Sequence, residues 1–293
     1  MFEGFARRWV DTGETTIHAR IGGTGPPLLL LHGFPQSHVM WHALAPRLAA
    51  RFTVVAADLR GYGDSAAPAG GGDHRAYAKR TLARDMVRLM AALGFARFRL
   101  AAHDRGARVA HRLALDHPHA LERLALLDIV PTRTLFEATD MALAMGYEHW
   151  FFLAQPAPFP ETMIEAAPIA YLHAKLGAWG TGLDAFAPEA LAEYERAVQD
   201  PARVHAMCED YRAAATIDLD HDRADDRARI RCPLLVLWGE RGLMHRRFDV
   251  PATWRAEHAE PARVRGDALP AGHFLVEETP DAVLAALDDF LAT

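Results

Sequence analysis

Short apolar runs alternate with amphipathic segments over much of the chain. The apolar runs predict buried strands at residues 26–34, 52–65, 98–104, 121–130 and 232–240. Residues 79–94 and 105–117 show the apolar spacing of amphipathic helices. Strands that alternate with helices favour a parallel sheet with helices on both faces, which is an α/β architecture.

Residues 131–231 interrupt this alternation. The segment is far too long for a loop, and its pattern is helical, with Pro/Gly punctuation in AQPAPFP and WGTG. We expect a helical cap inserted between two core strands, over the carboxyl ends where open α/β sheets bind ligands. The predicted domains are therefore a core of residues 1–130 and 232–293 and a cap of residues 131–231.

An acidic stretch near the end of this segment, DLDHDRADDRAR at 218–229, resembles the start of a calcium-binding loop. Arg223 stands where such a loop needs glycine, and Arg229 stands where it needs glutamate. We expect a charged, solvated linker here and no bound metal.

Composition narrows the possible functions. The 293 residues carry a formal net charge of −6, which gives no electrostatic attraction to nucleic acid or to an anionic membrane. The sequence shows no signal peptide and no apolar run of membrane-spanning length. Cys208 and Cys232 are too few for a disulfide framework or a zinc cluster. We expect a cytoplasmic protein in which a local basic site attracts any anionic substrate.

The corner AAHDRGARVAHR, at residues 101–112, carries the first chemical signal. Asp104 stands where the nucleophile elbow G-x-S-x-G usually has serine. A helix N-terminus keeps a carboxylate ionised, so this aspartate is a nucleophile without a general base. Attack on an acyl carbon would give a mixed anhydride, whereas attack on a saturated carbon gives an ester that water can cleave. The corner therefore favours dehalogenation or epoxide opening.

Cleavage of such an ester needs a base, an orienting acid and an oxyanion hole. His273, in ALPAGHFLVEETP, is the candidate base, and Asp128 is a better placed orienting acid than Glu240. The loop HGFP has the form of an oxyanion loop, so we expect the backbone amides of Phe34 and Arg105 to hold the oxyanion. This chemistry requires no metal and no organic cofactor.

Arg105 and Arg108 lie three residues apart at the start of the predicted helix, so both can face the cleft. Surface salt bridges are the simpler interpretation of such a pair. Under a cap, however, a guanidinium needs an anion, and its planar fork suits bidentate binding of a carboxylate. We expect a small 2-substituted carboxylate, held with its α-carbon in front of Asp104.

The chain resembles the haloacetate dehalogenases of the α/β-hydrolase fold, most closely the fluoroacetate dehalogenases. The resemblance runs from GPPLLLLHGFPQSHVMWH through HDRGARVAHRLALDHP and LLDIVPT to AGHFLVEETP, and enters the cap at HWFFLAQPAP, AKLGAW and CEDYRA. It implies a mostly parallel central sheet with helices on both faces and an inserted helical cap. It also implies a homodimer that hydrolyses a small anionic 2-haloacid to glycolate and halide through a covalent ester.

The same resemblance implies a role for each motif residue. It makes Asp104 the nucleophile, His273 and Asp128 the base and its partner, Arg105 and Arg108 the carboxylate site, His149, Trp150 and Tyr211 the halide site, and Trp179 a pocket residue. Fluoride is small and strongly hydrated, so three donors that replace its water suit this assignment.

Three alternatives remain from the sequence. An epoxide hydrolase uses the same elbow with a pair of cap tyrosines, for which Tyr147, Tyr171, Tyr194 and Tyr211 are candidates. A haloalkane dehalogenase is expected to have tryptophan after the nucleophile, where this chain has Arg105. A non-catalytic binding protein of the same fold typically loses a catalytic residue, and none is missing here. Neutral substrates have no use for two arginines, which favours the 2-haloacid.

Overall fold

A computed structural model describes residues 1–292 of the chain. An eight-stranded sheet runs through this described part. The strands in chain order are β1 (Ala6–Asp11), β2 (Thr16–Gly22), β3 (Pro27–Leu31), β4 (Thr53–Ala57), β5 (Phe98–His103), β6 (Leu121–Leu127), β7 (Leu234–Gly239) and β8 (Val264–Leu269).

The strands lie in the order β1-β2-β4-β3-β5-β6-β7-β8. The pairs β1–β2 and β2–β4 are antiparallel, and the remaining neighbours are parallel. In the centre, Leu30 of β3 pairs with Ala101 of β5, which pairs in turn with Ala125 of β6. Each of the five strands predicted from apolar runs is present, whereas the sequence pattern did not reveal the β1–β2 hairpin.

The helices cover the sheet and the carboxyl ends of its strands. In chain order they are α1 (Ala45–Leu48), α2 (Lys79–Ala92), α3 (Asp104–Asp116), α4 (Thr132–Glu137), α5 (Met141–Gly146), α6 (Glu148–Leu153), α7 (Phe159–Glu165), α8 (Pro168–Trp179), α9 (Pro188–Val198), α10 (Pro201–Ala215), α11 (Ile217–Ala224), α12 (Leu243–Arg247), α13 (Val250–Ala256), α14 (Leu275–Glu278) and α15 (Pro280–Ala292). None of these helices, within residues 1–292, has the length and apolar character that a membrane crossing requires.

Helices α4 to α11 occupy the interval between β6 and β7, and we propose that they form the predicted cap. Helix α10 is central to this group and contacts α6, α7, α9 and α11. The expectation of a solvated linker at 218–229 is wrong over its first half. Those residues belong to α11, and Asp218 is buried with its Oδ1 accepting the Lys79 amide at 2.8 Å.

The turn from β5 into α3 brings the helix very close to β3. The Gly106 amide donates to the His32 carbonyl oxygen at 2.9 Å. A Cβ at Gly106 would lie 2.3 Å from that oxygen and 2.8 Å from Leu31 Cβ, far inside ordinary contact distance. The absence of a side chain at this position therefore lets the first turn of α3 rest against the end of β3.

Replacement of Gly106 by alanine should force the helix away from β3. We expect Gly106→Ala to lower the free energy of unfolding by about 1–3 kcal/mol, the usual cost of overpacking. Gly72→Ala is the matched control, since a Cβ at Gly72 meets no atom within 4 Å, and it should change stability by less than about 0.5 kcal/mol. Urea unfolding followed by circular dichroism measures both, and equal midpoints would contradict the close approach.

Candidate active site

Asp104 begins α3 at the carboxyl end of β5. It is buried, and its φ of +43° lies in the left-handed region that non-glycine residues rarely adopt. Asp104 Oδ2 accepts the backbone amide of Phe34 at 2.9 Å. Burial alone would raise the pKa of the Asp104 carboxyl, but the positive charges of His273, Arg105 and Arg108 outweigh burial and hold it below its ordinary value. The carboxylate is therefore ionised at neutral pH, as a nucleophile must be.

His273 and Asp128 form a hydrogen-bonded pair beside the nucleophile. His273 Nδ1 lies 2.6 Å from Asp128 Oδ2, and Asp128 Oδ1 accepts the Gly239 amide at 3.1 Å. The backbone of His273 is also fixed, because its amide donates to the Trp179 carbonyl at 2.7 Å. Burial lowers the pKa of the His273 imidazole, yet the Asp128 hydrogen bond and charge dominate and raise it above its ordinary value. His273 is therefore a stronger base than an ordinary imidazole, and its orientation is fixed.

His103 is a supporting residue that the sequence did not reveal. Its Nε2 lies 2.8 Å from the His273 carbonyl oxygen, and because a carbonyl can only accept, Nε2 carries the proton. Burial lowers the pKa of His103 to about 3, so the ring is neutral. It holds the backbone of the base without adding a charge beside Asp104.

Arg105 is held by a residue far away in the sequence. Its Nε donates to Asp210 Oδ2 at 2.7 Å, and its Nη2 donates to the Asp210 carbonyl oxygen at 2.8 Å. Lys79 and Tyr62 also donate to the Asp210 carboxylate. Arg105 Nη1 is buried and has no partner within the described residues. Arg105 thus has one free nitrogen, Nη1, to offer a ligand. The sequence had suggested that the whole guanidinium is available for bidentate binding.

Arg108 is a buried cation with neutral partners. Its Nη1 donates to the Val130 carbonyl at 2.9 Å and to Thr132 Oγ1 at 3.1 Å, and its Nε is buried without a partner. The guanidinium carbon lies 4.5 Å from the Trp150 ring centroid. Burial and the charge of Arg105 lower the pKa of Arg108 to about 10, so it stays protonated at neutral pH. No carboxylate within residues 1–292 forms an ion pair with it, which leaves its charge available to an anion.

Cap aromatic side chains enclose the space in front of the elbow. The Tyr211 ring centroid lies 5.3 Å from that of Phe34, 5.5 Å from that of His149 and 5.7 Å from that of Trp150. In the described structure the Tyr211 hydroxyl and His149 Nδ1 are buried without hydrogen-bond partners. Burial raises the pKa of Tyr211 well above its ordinary value, so its hydroxyl keeps the proton it can donate.

Trp179 joins the cap to the base. Its ring centroid lies 4.2 Å from that of His149 and 5.9 Å from that of His273. The residues that the sequence singled out therefore lie after the carboxyl ends of β3, β5, β6 and β8, or on the helices between β6 and β7 that face them. The structure adds Asp210, Lys79 and His103. The sequence offered a signal for two of them, since His103 directly precedes Asp104 in HDRGARV and Asp210 directly precedes Tyr211 in CEDYRA.

A separate cluster of His18, His38 and Asp58 has the composition of a metal site. The two imidazole Nδ1 atoms lie 2.8 Å and 2.9 Å from the Asp58 carboxylate oxygens. The same oxygens also accept the backbone amides of His38 and Asp64. The carboxylate is therefore already satisfied by four donors, and we interpret it as a hydrogen-bonded hub that holds the loop after β4.

Comparison with known proteins identifies the family. Residues 26–280 match the family described as alpha/beta hydrolase fold, and the chain belongs to it. It is 50% identical over 293 residues to a fluoroacetate dehalogenase from Burkholderia sp, covering 100% of this chain and 95% of the relative. It is 33% identical over 284 residues to a soluble epoxide hydrolase from Corynebacterium sp. (strain C12), with coverage of 94% and 93%.

A crystal structure from Nostoc sp PCC 7120, itself assigned to the alpha/beta hydrolases, superposes on the chain with a TM-score of 0.97. The sequence identity is 55%, and the alignment covers 99% of both chains. These similarities confirm the predicted α/β-hydrolase fold and the predicted resemblance to the haloacetate dehalogenases.

The raised pKa of His273 can be measured directly. We expect an NMR titration of its ring to give a pKa above about 6.5, the ordinary histidine value, and Asp128→Asn to lower it because the stabilising charge is lost. Asp73→Asn removes an exposed carboxylate elsewhere and should leave the titration unchanged. A histidine base acts when neutral, so turnover that depends on it should fall as the pH drops through this raised pKa. An unaltered pKa in Asp128→Asn would refute the pairing.

Proposed function

We propose that the chain is a haloacetate dehalogenase, with fluoroacetate as its substrate. The observation that carries this proposal is Arg108, a buried and charged guanidinium with no carboxylate partner within residues 1–292. It lies one turn along α3 from the ionised Asp104, where a bound carboxylate would place its α-carbon next to the nucleophile. The similarity to the Burkholderia fluoroacetate dehalogenase over the whole chain supports the same substrate class.

In the first step, Asp104 attacks the α-carbon. Its Oδ2 is held by the Phe34 amide, so Oδ1 is the attacking oxygen. A bond forms between Oδ1 and the α-carbon as the carbon–halogen bond breaks, and the halide leaves with the bonding electron pair. Arg108 and the free Nη1 of Arg105 hold the substrate carboxylate, which fixes the α-carbon for in-line displacement.

The departing halide needs donors in place of water. His149, Trp150 and Tyr211 line the space opposite the elbow, and the Tyr211 hydroxyl has no other partner among the described residues. Donors positioned before the reaction stabilise charge as it develops, without a reorganisation cost. This matters most for fluoride, whose hydration is strong.

In the second step, water attacks the side-chain Cγ of Asp104, which is the carbonyl carbon of the ester. His273 accepts a proton from the water, and Asp128 stabilises the imidazolium that forms. The former Oδ2 is now the ester carbonyl oxygen, and it becomes the oxyanion. The Phe34 amide already donates to this oxygen, and we propose the Arg105 amide at the start of α3 as the second donor. Collapse of the intermediate breaks the bond between Cγ and Oδ1, and glycolate leaves with Oδ1 as its hydroxyl oxygen, which takes the proton from the His273 imidazolium. The Asp104 carboxyl then carries one oxygen from water and loses its own proton to solvent, which regenerates the carboxylate.

Epoxide hydrolysis is the main alternative, since a Corynebacterium relative has that activity in its name. It needs two tyrosine hydroxyls aimed at the elbow. The Tyr194 hydroxyl is unsuited because it donates to Glu277 at 2.7 Å, which leaves Tyr147, Tyr171 and Tyr211. A neutral epoxide leaves the charge of Arg108 unused, so we favour the haloacid. Homodimer formation and a cytoplasmic location stay predictions from the sequence.

Trapping of the ester tests the mechanism. In His273→Asn the first step should proceed while hydrolysis stops, because no base remains to activate water. Incubation with fluoroacetate or chloroacetate should then add the mass of one carboxymethyl group, located on Asp104 by peptide mapping. The double variant Asp104→Ala/His273→Asn is the control and should stay unmodified. If the His273→Asn protein stays unmodified, the covalent mechanism is contradicted.

The carboxylate site is tested by Arg108→Lys. Lysine keeps the charge but loses the planar donor edge and the contact with Trp150. We expect kcat/KM for haloacetate to fall about 10- to 100-fold, the effect of losing one or two charged hydrogen bonds. Arg97→Lys, at an exposed position, is the matched control and should behave as the wild type. Wild-type kinetics in Arg108→Lys would refute the carboxylate site.

A further inference from the structure

A cavity of about 420 Å³ adjoins the site without containing Asp104 among its lining residues. Its inner wall is formed by Trp179, His273 and Tyr147, which also bound the space in front of the elbow. Its outer wall is formed by the ends of α8 and of α12 and the turn between β7 and α12.

The outer wall is rich in cations. Lys175, Arg241 and Arg246 line the cavity, whereas the acidic residues of its lining are Glu148 and Asp128. Asp128 is committed to His273, and Glu148 forms an ion pair with Lys175. Both acidic charges are therefore already compensated inside the wall.

The two arginines are left with weaker partners. Arg241 donates to the Pro270 carbonyl at 2.8 Å and lies 3.6 Å from the Glu278 carboxylate. Arg246 donates to the Arg241 carbonyl at 2.5 Å and has no ion-pair partner within the described part of the chain. Arg246 is exposed, so its charge faces solvent at the outer wall. Of the three cations, Arg246 therefore carries the charge that no carboxylate of the described residues offsets, in a protein whose formal net charge is −6.

We propose that this cavity is an outer anion site, in which Arg246, beside Arg241 and Lys175, supplies the uncompensated charge. It collects a small carboxylate from solvent before the carboxylate moves past Trp179 to the inner arginines. Clefts lined by charge of one sign raise the local concentration and association rate of oppositely charged ligands. The inference rests on the proposed function, because it names an entry site for the same anionic substrate.

Arg246 is the residue on which the site depends most, because no acidic group among residues 1–292 forms an ion pair with it. It does not touch the reacting atoms, so its replacement should change substrate capture and leave the chemical step unchanged. We expect Arg246→Gln to lower kcat/KM for haloacetate about threefold and Arg246→Glu about tenfold at low ionic strength, with kcat unchanged. Both differences should disappear near 0.5 M salt, where screening shortens the range of the field to roughly 4 Å.

Arg255→Gln is the matched control for net charge. Arg255 is exposed on α13 and does not line the cavity, so kcat/KM should stay at the wild-type value. Unchanged kcat/KM in both Arg246 variants, or a loss confined to kcat, would overturn the proposal. If the wild-type protein releases no halide at all, the proposed function fails instead, and a measurement that needs no turnover is required.

Quenching of Trp179 fluorescence supplies that measurement. Trp9 and Trp179 are the tryptophans that are not buried in the described structure, so a Trp9→Phe background leaves Trp179 as the accessible one. Iodide is the anionic probe, acrylamide is the neutral probe, and fluorescence lifetimes report collisions. We expect Arg246→Gln to lower the iodide quenching constant roughly twofold and to leave the acrylamide constant unchanged. Equal iodide quenching constants in the Trp9→Phe protein and in the Trp9→Phe/Arg246→Gln protein would overturn the outer anion site, whatever the activity of the enzyme.

Discussion

A carboxylate that stays ionised inside the protein is the constraint around which the site is arranged. Burial alone would raise the pKa of the Asp104 carboxyl. The carboxyl lies at the N-terminal turn of α3, and the charges of His273, Arg105 and Arg108 lower its pKa again. Gly106 allows this turn to rest against β3. The same cations that keep the nucleophile ionised also attract an anionic substrate. Activation of the nucleophile and choice of substrate therefore follow from one arrangement of charge.

The central sheet was predictable because its strands are apolar on both faces. In β3 four of the five residues are fully buried leucines, and such runs are typical of buried parallel strands. The hairpin β1–β2 was not predictable in this way. Residues of β1 are mostly exposed and include two arginines and Trp9, because the strand lies at the edge of the sheet. The strand conformation of β1 depends on its hydrogen bonds to β2 and not on burial of its side chains.

Within the site, the sequence was informative where the chemistry is local. The motif around Asp104 contains both the nucleophile and the two arginines. The partner that fixes Arg105 is Asp210, 105 residues away, and nothing in the motif indicates that two of the three guanidinium nitrogens already donate to it. Likewise, the local pattern predicts a solvated Asp218, because its partner Lys79 lies 139 residues away in the sequence. For the cap, His149 could be assigned only through the family resemblance, since aromatic residues in a helical insertion ordinarily form a core.

The most direct test of the account is halide release by the purified protein from fluoroacetate, chloroacetate and neutral 1-chlorobutane. The charge of Arg108 and the free donors of the halide site predict fluoride and chloride release from the two acids and no turnover of the alkyl halide. Turnover of 1-chlorobutane, with no halide from either acid, would contradict the central claim that Arg108, which has no ion-pair partner within residues 1–292, selects an anionic substrate.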